Sequence, residues 1–211
     1  MQANEILLLL SFGVIGGGLK FIDEAFDENA FNKKFAFIIV AILVVIWAGI
    51  SIYDASAATV LFAILASVFL SGKVDNLAFK MGVVALLPLV FLSGLALLPF
   101  LILTLAGVID ERGNDYVDSR KANKAVKFFF LHRFSMKCAA FAVCYASYLR
   151  WLYFFTFLAF DIAYDLIGFL SRAGIRLKST VLFCKNISPL PEKRISFVRN
   201  FKLDGVVVCR T

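Results

Sequence analysis

Residues 82–109 read GVVALLPLVFLSGLALLPFLILTLAGVI, an apolar run of 28 residues that contains no charged side chain. A helix needs about 20 apolar residues to cross the ~30 Å hydrocarbon core of a bilayer, so the run is longer than one span requires. Pro88, Pro99 and the pair Ser93-Gly94 interrupt it. Two arrangements fit this pattern: one tilted helix with a proline kink, or two shorter helices that meet near Gly94.

The distribution of basic residues favours the two-helix arrangement. Lys and Arg residues that flank membrane spans lie mostly on the cytoplasmic side. If the lysines at 33–34 are cytoplasmic, two further crossings leave Lys73 and Lys80 cytoplasmic as well. A single crossing by the long apolar run would then place the basic segment 112–137 outside. We therefore predict a hairpin or re-entrant pair of helices in the run, with the basic loop and the basic tail in the cytoplasm.

Composition places the chain in a membrane. Of its 211 residues, 61% are hydrophobic and 18% are charged, and the mean hydropathy is +0.87. Soluble domains are about 45–50% apolar and about 25% charged. We predict an all-α, polytopic transmembrane helical bundle of about five to seven spanning or half-spanning helices in residues 1–170, followed by a basic extramembrane tail in residues 171–211. Besides the opening run, the predicted spans are 6–22, 35–52, 57–70, 134–149 and 151–170.

Two shorter patterns bear on packing. Gly13 and Gly17 form a G-x-x-x-G pair inside the first predicted span, and such a pair allows two helix backbones to approach closely. We expect this contact to lie within the chain rather than between two copies, although a homo-oligomer is compatible with the sequence. Residues 119–137 are basic and amphipathic, which predicts a helix that lies along the membrane interface.

The net charge of +7 is unevenly distributed. Residues 1–109 contain 5 Lys/Arg and 7 Asp/Glu, whereas residues 110–211 contain 17 Lys/Arg and 8 Asp/Glu. Beside apolar spans, such basic residues favour membrane lipids over nucleic acid as the partner, and the cell membrane as the location of a multi-pass protein. Four cysteines without C-x-x-C spacing and a single histidine do not support a zinc site. A metal would therefore have oxygen ligands, as Mg²⁺ does.

Three pairs of aspartates lie beside or inside apolar spans, where an ionised carboxylate is costly unless it is paired or binds a cation. Their spacings place both members of a pair on one helix face. The candidate metal ligands are Asp23, Asp27, Asp115, Asp118, Asp161 and Asp165, and the candidate phosphate-binding residues are Lys20, Lys73, Arg112 and Arg120. The structural alternatives are solvated helix ends for the first two pairs and, for the third pair, an ion pair with Arg150 or Lys137.

Two of these acidic segments resemble motifs of a known family. Residues 113–118 read GNDYVD, which resembles the N-D-x-x-D motif of the UbiA-type intramembrane prenyltransferases. Residues 161–165 read DIAYD, which resembles part of that family's second aspartate-rich motif. The final aspartate of each family motif is absent here, and Ala122 occupies that position after the first. The resemblance implies that Mg²⁺ and the diphosphate of a polyprenyl donor are bound by the four motif aspartates, Asp115, Asp118, Asp161 and Asp165.

Three functions are compatible with the sequence, and it leaves open whether the chain is an enzyme. The first is a Mg²⁺-dependent transferase that acts on an isoprenoid or other lipid diphosphate. The second is a cation- or proton-coupled transporter or channel that uses Asp161 and Asp165. The third is a non-catalytic membrane subunit. Convergence of the three aspartate pairs at one membrane face favours the first function, whereas an isolated Asp161 and Asp165 beside a broken helix favour the second.

Overall fold

The computed structural model describes residues 3–26, 31, 33–74, 76–119 and 123–187, with the side chains at 118–119 and 175–187 outside the description. Every regular element in these ranges is an α-helix, which confirms the predicted all-α class. In chain order the helices are α1 (Ala3–Phe26), α2 (Lys33–Tyr53), α3 (Ala55–Leu70), α4 (Leu77–Leu92), α5 (Leu97–Ser119), α6 (Lys124–Leu131), α7 (Phe134–Tyr145) and α8 (Trp151–Ile187). The chain divides into two compact units, Met1–Gly168 and Phe169–Thr211, and the contacts described below lie within the first.

Three of the described helices are long and apolar enough to cross a membrane. Their candidate spans are Ala3–Phe26, Lys33–Tyr53 and Trp151–Gly174, and three shorter helices, α3, α4 and α7, are also apolar. Large apolar side chains cover much of the outer surface of the first unit, among them Val45, Phe91 and Leu92, each more than two-thirds exposed. An apolar exterior of this kind is what a helical bundle presents to lipid rather than to water.

The long apolar run forms two helices, as the charge distribution predicted. Helix α4 ends at Leu92 and α5 begins at Leu97. Between them Gly94 has φ +60°, a left-handed conformation that glycine adopts without a Cβ clash. Pro99 lies in the first turn of α5, where a missing N–H leaves no intrahelical hydrogen bond unmade. The backbone N–H of Ala96 donates to the Thr59 hydroxyl at 3.0 Å, which fixes the start of α5 beside α3.

Helices α1 and α8 pack closely through glycines, which confirms the predicted contact within the chain. Gly13 lies against Ala159 and Ala163, and Gly17 lies against Ala163 and Ile167. A Cβ on Gly16 would collide with the carbonyl group of Phe160. The order of these contacts rises along both helices, so α1 and α8 run parallel. The parallel packing brings the acidic end of α1 beside the aspartates in the middle of α8.

Contacts between helix termini define two ends of the first unit, of which one carries most of its charged residues. Lys73, which follows α3, contacts Glu111 in the second half of α5. Lys33 at the start of α2 lies 5.6 Å from the ring centroid of Phe26 at the end of α1. We refer to this end as the cluster end. At the opposite end, the cleft end, the side chain of Tyr153 in the first turn of α8 donates a hydrogen bond to Asp54 between α2 and α3.

Candidate functional site

Charged side chains from five parts of the sequence meet at the cluster end, and we refer to them as the polar cluster. They come from α1, the α3–α4 link, α5, the region around the α6–α7 junction, and α8. The members are Lys20, Asp23, Glu24, Lys73, Asp110, Glu111, Asp115, His132, Arg133, Lys137, Asp161, Tyr164 and Asp165. Most are buried or half-buried. Charges in such an environment are stable only when they are paired.

The contribution of α1 is a lysine held by two carboxylates on its own helix. Lys20 Nζ lies 2.6 Å from Asp23 Oδ2 and 3.0 Å from Glu24 Oε1, spacings that the helix repeat places on one face. Glu24 is almost fully buried. Lys20 Nζ also lies 5.3 Å from the ring centroid of Tyr164, so this lysine links α1 to α8.

Arg133 is the central cation of the polar cluster. Its Nη2 lies 3.1 Å from Glu111 Oε1, and its guanidinium carbon lies 4.5 Å from the ring centroid of Tyr164. Burial disfavours the charged guanidinium, but the neighbouring Tyr164 and Glu111, followed by the aspartates of α8, more than offset this cost and raise its pKa. Arg133 therefore stays charged and joins α5 to α8.

The backbone at Arg133 is as unusual as its surroundings. Its φ of 50° and ψ of 45° are left-handed, a conformation that residues other than glycine seldom adopt. This turn ends α6 and starts α7, and Arg133 itself gives α7 no side-chain cap. Asp110 supplies the cap instead, because its carboxylate accepts hydrogen bonds from the N–H groups of Ser135 at 3.1 Å and Met136 at 2.7 Å. Asp110 is therefore an architectural residue that ties α7 to α5.

Lys73 connects the α3–α4 link to α5. Its Nζ lies 2.8 Å from Glu111 Oε2 and 3.0 Å from Asp115 Oδ1. Burial disfavours the charged amine, yet the hydrogen bonds and charges of these two carboxylates outweigh it, so the pKa of Lys73 is raised. Glu111 thus bridges Lys73 and Arg133, and these ion pairs run from the α3–α4 link through α5 to the α6–α7 junction, where Arg133 contacts the Tyr164 ring of α8.

The two aspartates of α8 have partners near the start of α7. Lys137 Nζ lies 2.5 Å from Asp161 Oδ2, and His132 Nδ1 lies 3.1 Å from Asp165 Oδ2. The Asp161 side chain is 4% exposed, whereas the Asp165 side chain is 44% exposed. The ion pair of Asp161 with Lys137 was one of the structural alternatives that the sequence suggested, and it is present.

Four of the six predicted metal ligands belong to the polar cluster, and each has a cationic or histidine partner there. Asp23 contacts Lys20, Asp115 contacts Lys73, and the partners of the α8 aspartates are those given above. Residue Asp27 and the side chain of Asp118 lie outside the described part of the chain, as does Arg120. Arg112 is exposed. Among the residues that the structure describes, no three His, Cys, Asp or Glu side chains converge on one metal position.

Sequence reasoning missed the cations that come from the α6–α7 region as candidate site residues. The basic segment predicts an interfacial helix, and nothing in its local pattern reveals that a left-handed turn directs Arg133 inward. Glu111 and Tyr164 were likewise outside the predicted set, although Tyr164 lies inside the second aspartate motif and Glu111 lies two residues before the first. Their position in or beside those motifs was the only local signal.

The polar cluster contains more acidic than permanently basic groups in its described part. Seven carboxyl groups, from the aspartates and glutamates named above, face four lysine and arginine side chains and one histidine. The capping bonds to α7 compensate one of the carboxylates, Asp110. The remaining surplus of negative charge favours a bound proton or a cation that enters with a ligand.

The chain was also compared with known proteins. It matches no protein-family model, and neither a curated protein nor a solved structure matches it. The resemblance of its aspartate motifs to a prenyltransferase family therefore stays a prediction.

Proposed function

We propose that the chain is a multi-pass membrane protein whose polar cluster binds the Mg²⁺ complex of a polyprenyl or other lipid diphosphate and transfers the lipid group to an acceptor. The convergence of the aspartates of α1, α5 and α8 at one end of the bundle carries this proposal. A surplus of carboxylates beside several lysine and arginine side chains suits a ligand that brings both a divalent cation and phosphate oxygens.

The chemistry divides between the more exposed carboxylates and the cations of the cluster. Mg²⁺ is usually held by one or two carboxylates together with substrate phosphates and water rather than by a full protein cage. Asp115 and Asp165, with side chains 55% and 44% exposed, are the carboxylates that an incoming complex reaches first. Lys73 would then exchange Asp115 for a phosphate oxygen while it keeps its contact with Glu111.

The cluster also suits the departure of the diphosphate. In the transfer, the bond between the lipid carbon and the diphosphate oxygen breaks with its electron pair on the diphosphate. The acceptor forms the new bond to carbon and loses its proton to the released diphosphate or to water. When bound, Mg²⁺ neutralises the charge that develops on the leaving diphosphate. Arg133 and Lys20 both contact the Tyr164 ring and supply further positive charge at fixed positions.

The membrane arrangement follows from the same charges. We infer five to seven spanning or half-spanning helices. The three long candidate spans of the described residues account for part of this number, and the shorter apolar helices account for the rest. The cluster end carries Lys33, Lys73 and the basic α6–α7 region, so the positive-inside tendency assigns it to the cytoplasmic face of the cell membrane. The basic tail would lie on that side as well. A cytoplasmic polar cluster gives a water-soluble diphosphate group direct access.

Binding of farnesyl diphosphate tests the proposal. The full chain in detergent micelles is titrated with the diphosphate by calorimetry, with Mg²⁺ and with EDTA. We expect EDTA, Asp115→Asn and Asp165→Asn each to weaken binding at least tenfold. Lys80→Gln is the matched control, because Lys80 is an exposed cation at the same end of the bundle and outside the polar cluster. Unchanged affinity in both aspartate variants would refute the proposed role of these motifs.

A second candidate function, cation- or proton-coupled transport, is favoured by one observation. Asp161 is a buried carboxylate near the middle of the candidate span Trp151–Gly174, where ionisable residues commonly belong to ion or proton pathways. The assay is a proteoliposome with an imposed pH gradient and an internal pH-sensitive dye. Transport predicts a proton flux that Asp161→Asn abolishes, whereas a wild-type flux equal to that of empty liposomes rejects it.

A further inference from the structure

The cleft end contains a second polar site that none of the aspartate motifs explains. An open cleft of about 960 Å³ lies there between the start of α1, the end of α2 and the start of α8. This volume is in the range of small-molecule binding sites. Its polar lining includes Glu5, Asp54, Arg150 and Tyr153. All four belong to the first unit, and none is part of the polar cluster.

Asp54 has an architectural role in this cleft. Its Oδ1 accepts the N–H groups of Ser56 and Ala57, both at 3.0 Å, and thereby caps α3. The Tyr153 hydroxyl donates to the same carboxylate, at 2.8 Å from Oδ2. These bonds occupy Asp54 and tie α8 to the start of α3. A ligand in the cleft would therefore be bound by the charged pair that the other two polar residues form.

Glu5 and Arg150 form that pair at the mouth of the cleft. Arg150 Nη2 lies 3.2 Å from Glu5 Oε1, and the Arg150 side chain is 72% exposed while that of Glu5 is 23% exposed. A guanidinium group has five N–H donors in a planar fork, and this contact uses one of its nitrogens, so Arg150 can also bind a phosphate group. An ion pair with one largely exposed member contributes little to stability, so Arg150 can exchange Glu5 for a ligand at a small cost in free energy.

The remaining lining is mixed, with the polar side chains of Asn4, Ser11 and Tyr53 beside four apolar side chains. The apolar four are Leu7, Leu8, Ile50 and Leu152, and they lie at the ends of three candidate membrane spans. Charged groups next to these apolar side chains, at the ends of candidate membrane spans, match an amphiphile rather than a fully water-soluble ligand. A lipid that enters from the bilayer can place its head group on the charged pair and its acyl chains along these side chains.

We propose that this cleft binds a zwitterionic phospholipid of the phosphoethanolamine type. Its phosphate would contact Arg150 and its ammonium group would contact Glu5, so each charge of the ion pair gains a partner of opposite sign. A purely anionic head group fits less well, because the Glu5 and Asp54 carboxylates outnumber the single arginine of the lining. The inference needs the membrane location of the chain but does not depend on the proposed transferase activity.

Titration with short-chain phospholipids tests the inference. The full chain in detergent micelles is titrated by calorimetry with dihexanoyl phosphatidylethanolamine, and with the phosphatidylglycerol and phosphatidylcholine analogues. We expect the ethanolamine lipid to bind at least tenfold more tightly than the glycerol lipid. Phosphatidylcholine should fall below the ethanolamine lipid too, because its quaternary ammonium has no N–H to donate to Glu5.

Variants of the charged pair separate the head-group contact from general lipid solubilisation. Arg150→Gln and Glu5→Gln should each weaken binding of the ethanolamine lipid at least tenfold, whereas Arg150→Lys and the control Lys80→Gln should stay within about threefold of the wild type, which is under 1 kcal/mol. Circular dichroism verifies that each variant is folded, and Glu5→Gln covers the case in which Arg150→Gln is not. Wild-type affinity in both charge-removing variants would overturn the proposal. Equal binding of phosphatidylglycerol, or of free phosphoethanolamine without acyl chains, would overturn it as well.

Discussion

The ion pair between Lys137 and Asp161 provides the sharpest test of how the polar cluster is held together. Lys137 Nζ lies 2.5 Å from Asp161 Oδ2 and also donates to the His132 carbonyl oxygen at 2.6 Å. In Lys137→Met the buried Asp161 carboxylate loses its partner. Breaking a buried ion pair by removing one partner costs about 3–5 kcal/mol. Because the Lys137 side chain is 22% exposed, we expect a loss at the lower end of this range, ~3 kcal/mol.

A double-mutant cycle isolates the pair from the other contacts of Lys137. In Lys137→Met combined with Asp161→Asn, no charge is left buried, so most of the loss should be recovered. The lost bond to the His132 carbonyl leaves a residual cost of about 1 kcal/mol. The expected coupling free energy between the two positions is therefore at least ~2 kcal/mol, to which the separate cost of Asp161→Asn adds.

Equilibrium unfolding of the full chain in mixed micelles, followed by far-ultraviolet circular dichroism, measures these free energies. Lys124→Met is the matched control, because Lys124 is exposed at the start of α6 and its loss should change the stability by less than about 0.5 kcal/mol. If Lys137→Met unfolds like the wild type, or if the double variant is no more stable than the single one, the pair does not have the role that its geometry indicates.

Three further predictions concern packing, hydrogen bonding and pH. Gly16→Ala should lower the free energy of unfolding by at least ~2 kcal/mol, because its Cβ meets the backbone of α8, whereas Gly49→Ala, which has open space, should not; micelle unfolding compares the two. Tyr153→Phe should cost about 1–2 kcal/mol in the same assay through the lost bond to Asp54. The pKa of Lys73 is raised in the folded state. The extra stability of the wild type over Lys73→Gln should therefore persist at neutral pH and be lost as the pH rises through that raised pKa. A stability difference that is already lost at pH 8 would contradict this assignment.

Much of the fold follows from local sequence patterns. The prolines and Ser93-Gly94 were compatible with one kinked helix or with two shorter helices, and the distribution of basic residues favoured the two helices that α4 and α5 form. The glycines at 13 and 17 predicted a close helix contact within the chain, which α1 makes with α8. Both features depend on backbone sterics that act over one or two helical turns. The last predicted span ends at residue 170, whereas helix α8 continues to Ile187.

The candidate site was predictable only in part. Lys20 and Asp23 pair within one helix turn, so their spacing alone indicates the contact. The sequence also offered Lys137 as a partner for the α8 aspartates, because a buried carboxylate needs a cation nearby. It did not predict Arg133 as the central cation, since the left-handed turn between α6 and α7 directs that side chain inward.

Composition and local patterns alone predict an α-helical membrane protein with acidic groups at the ends and in the middle of apolar segments. Hydropathy and helix periodicity are properties of neighbouring residues, so they can be determined from the sequence without a structure. Helix packing in the folded chain determines which charged side chains contact each other. Glu111 joins Lys73 to Arg133 across three elements, and Glu5 contacts Arg150 at the opposite end. Those pairs depend on the direction and packing of whole helices. In a low-dielectric environment the partner of a charge is set by that packing rather than by its distance along the chain.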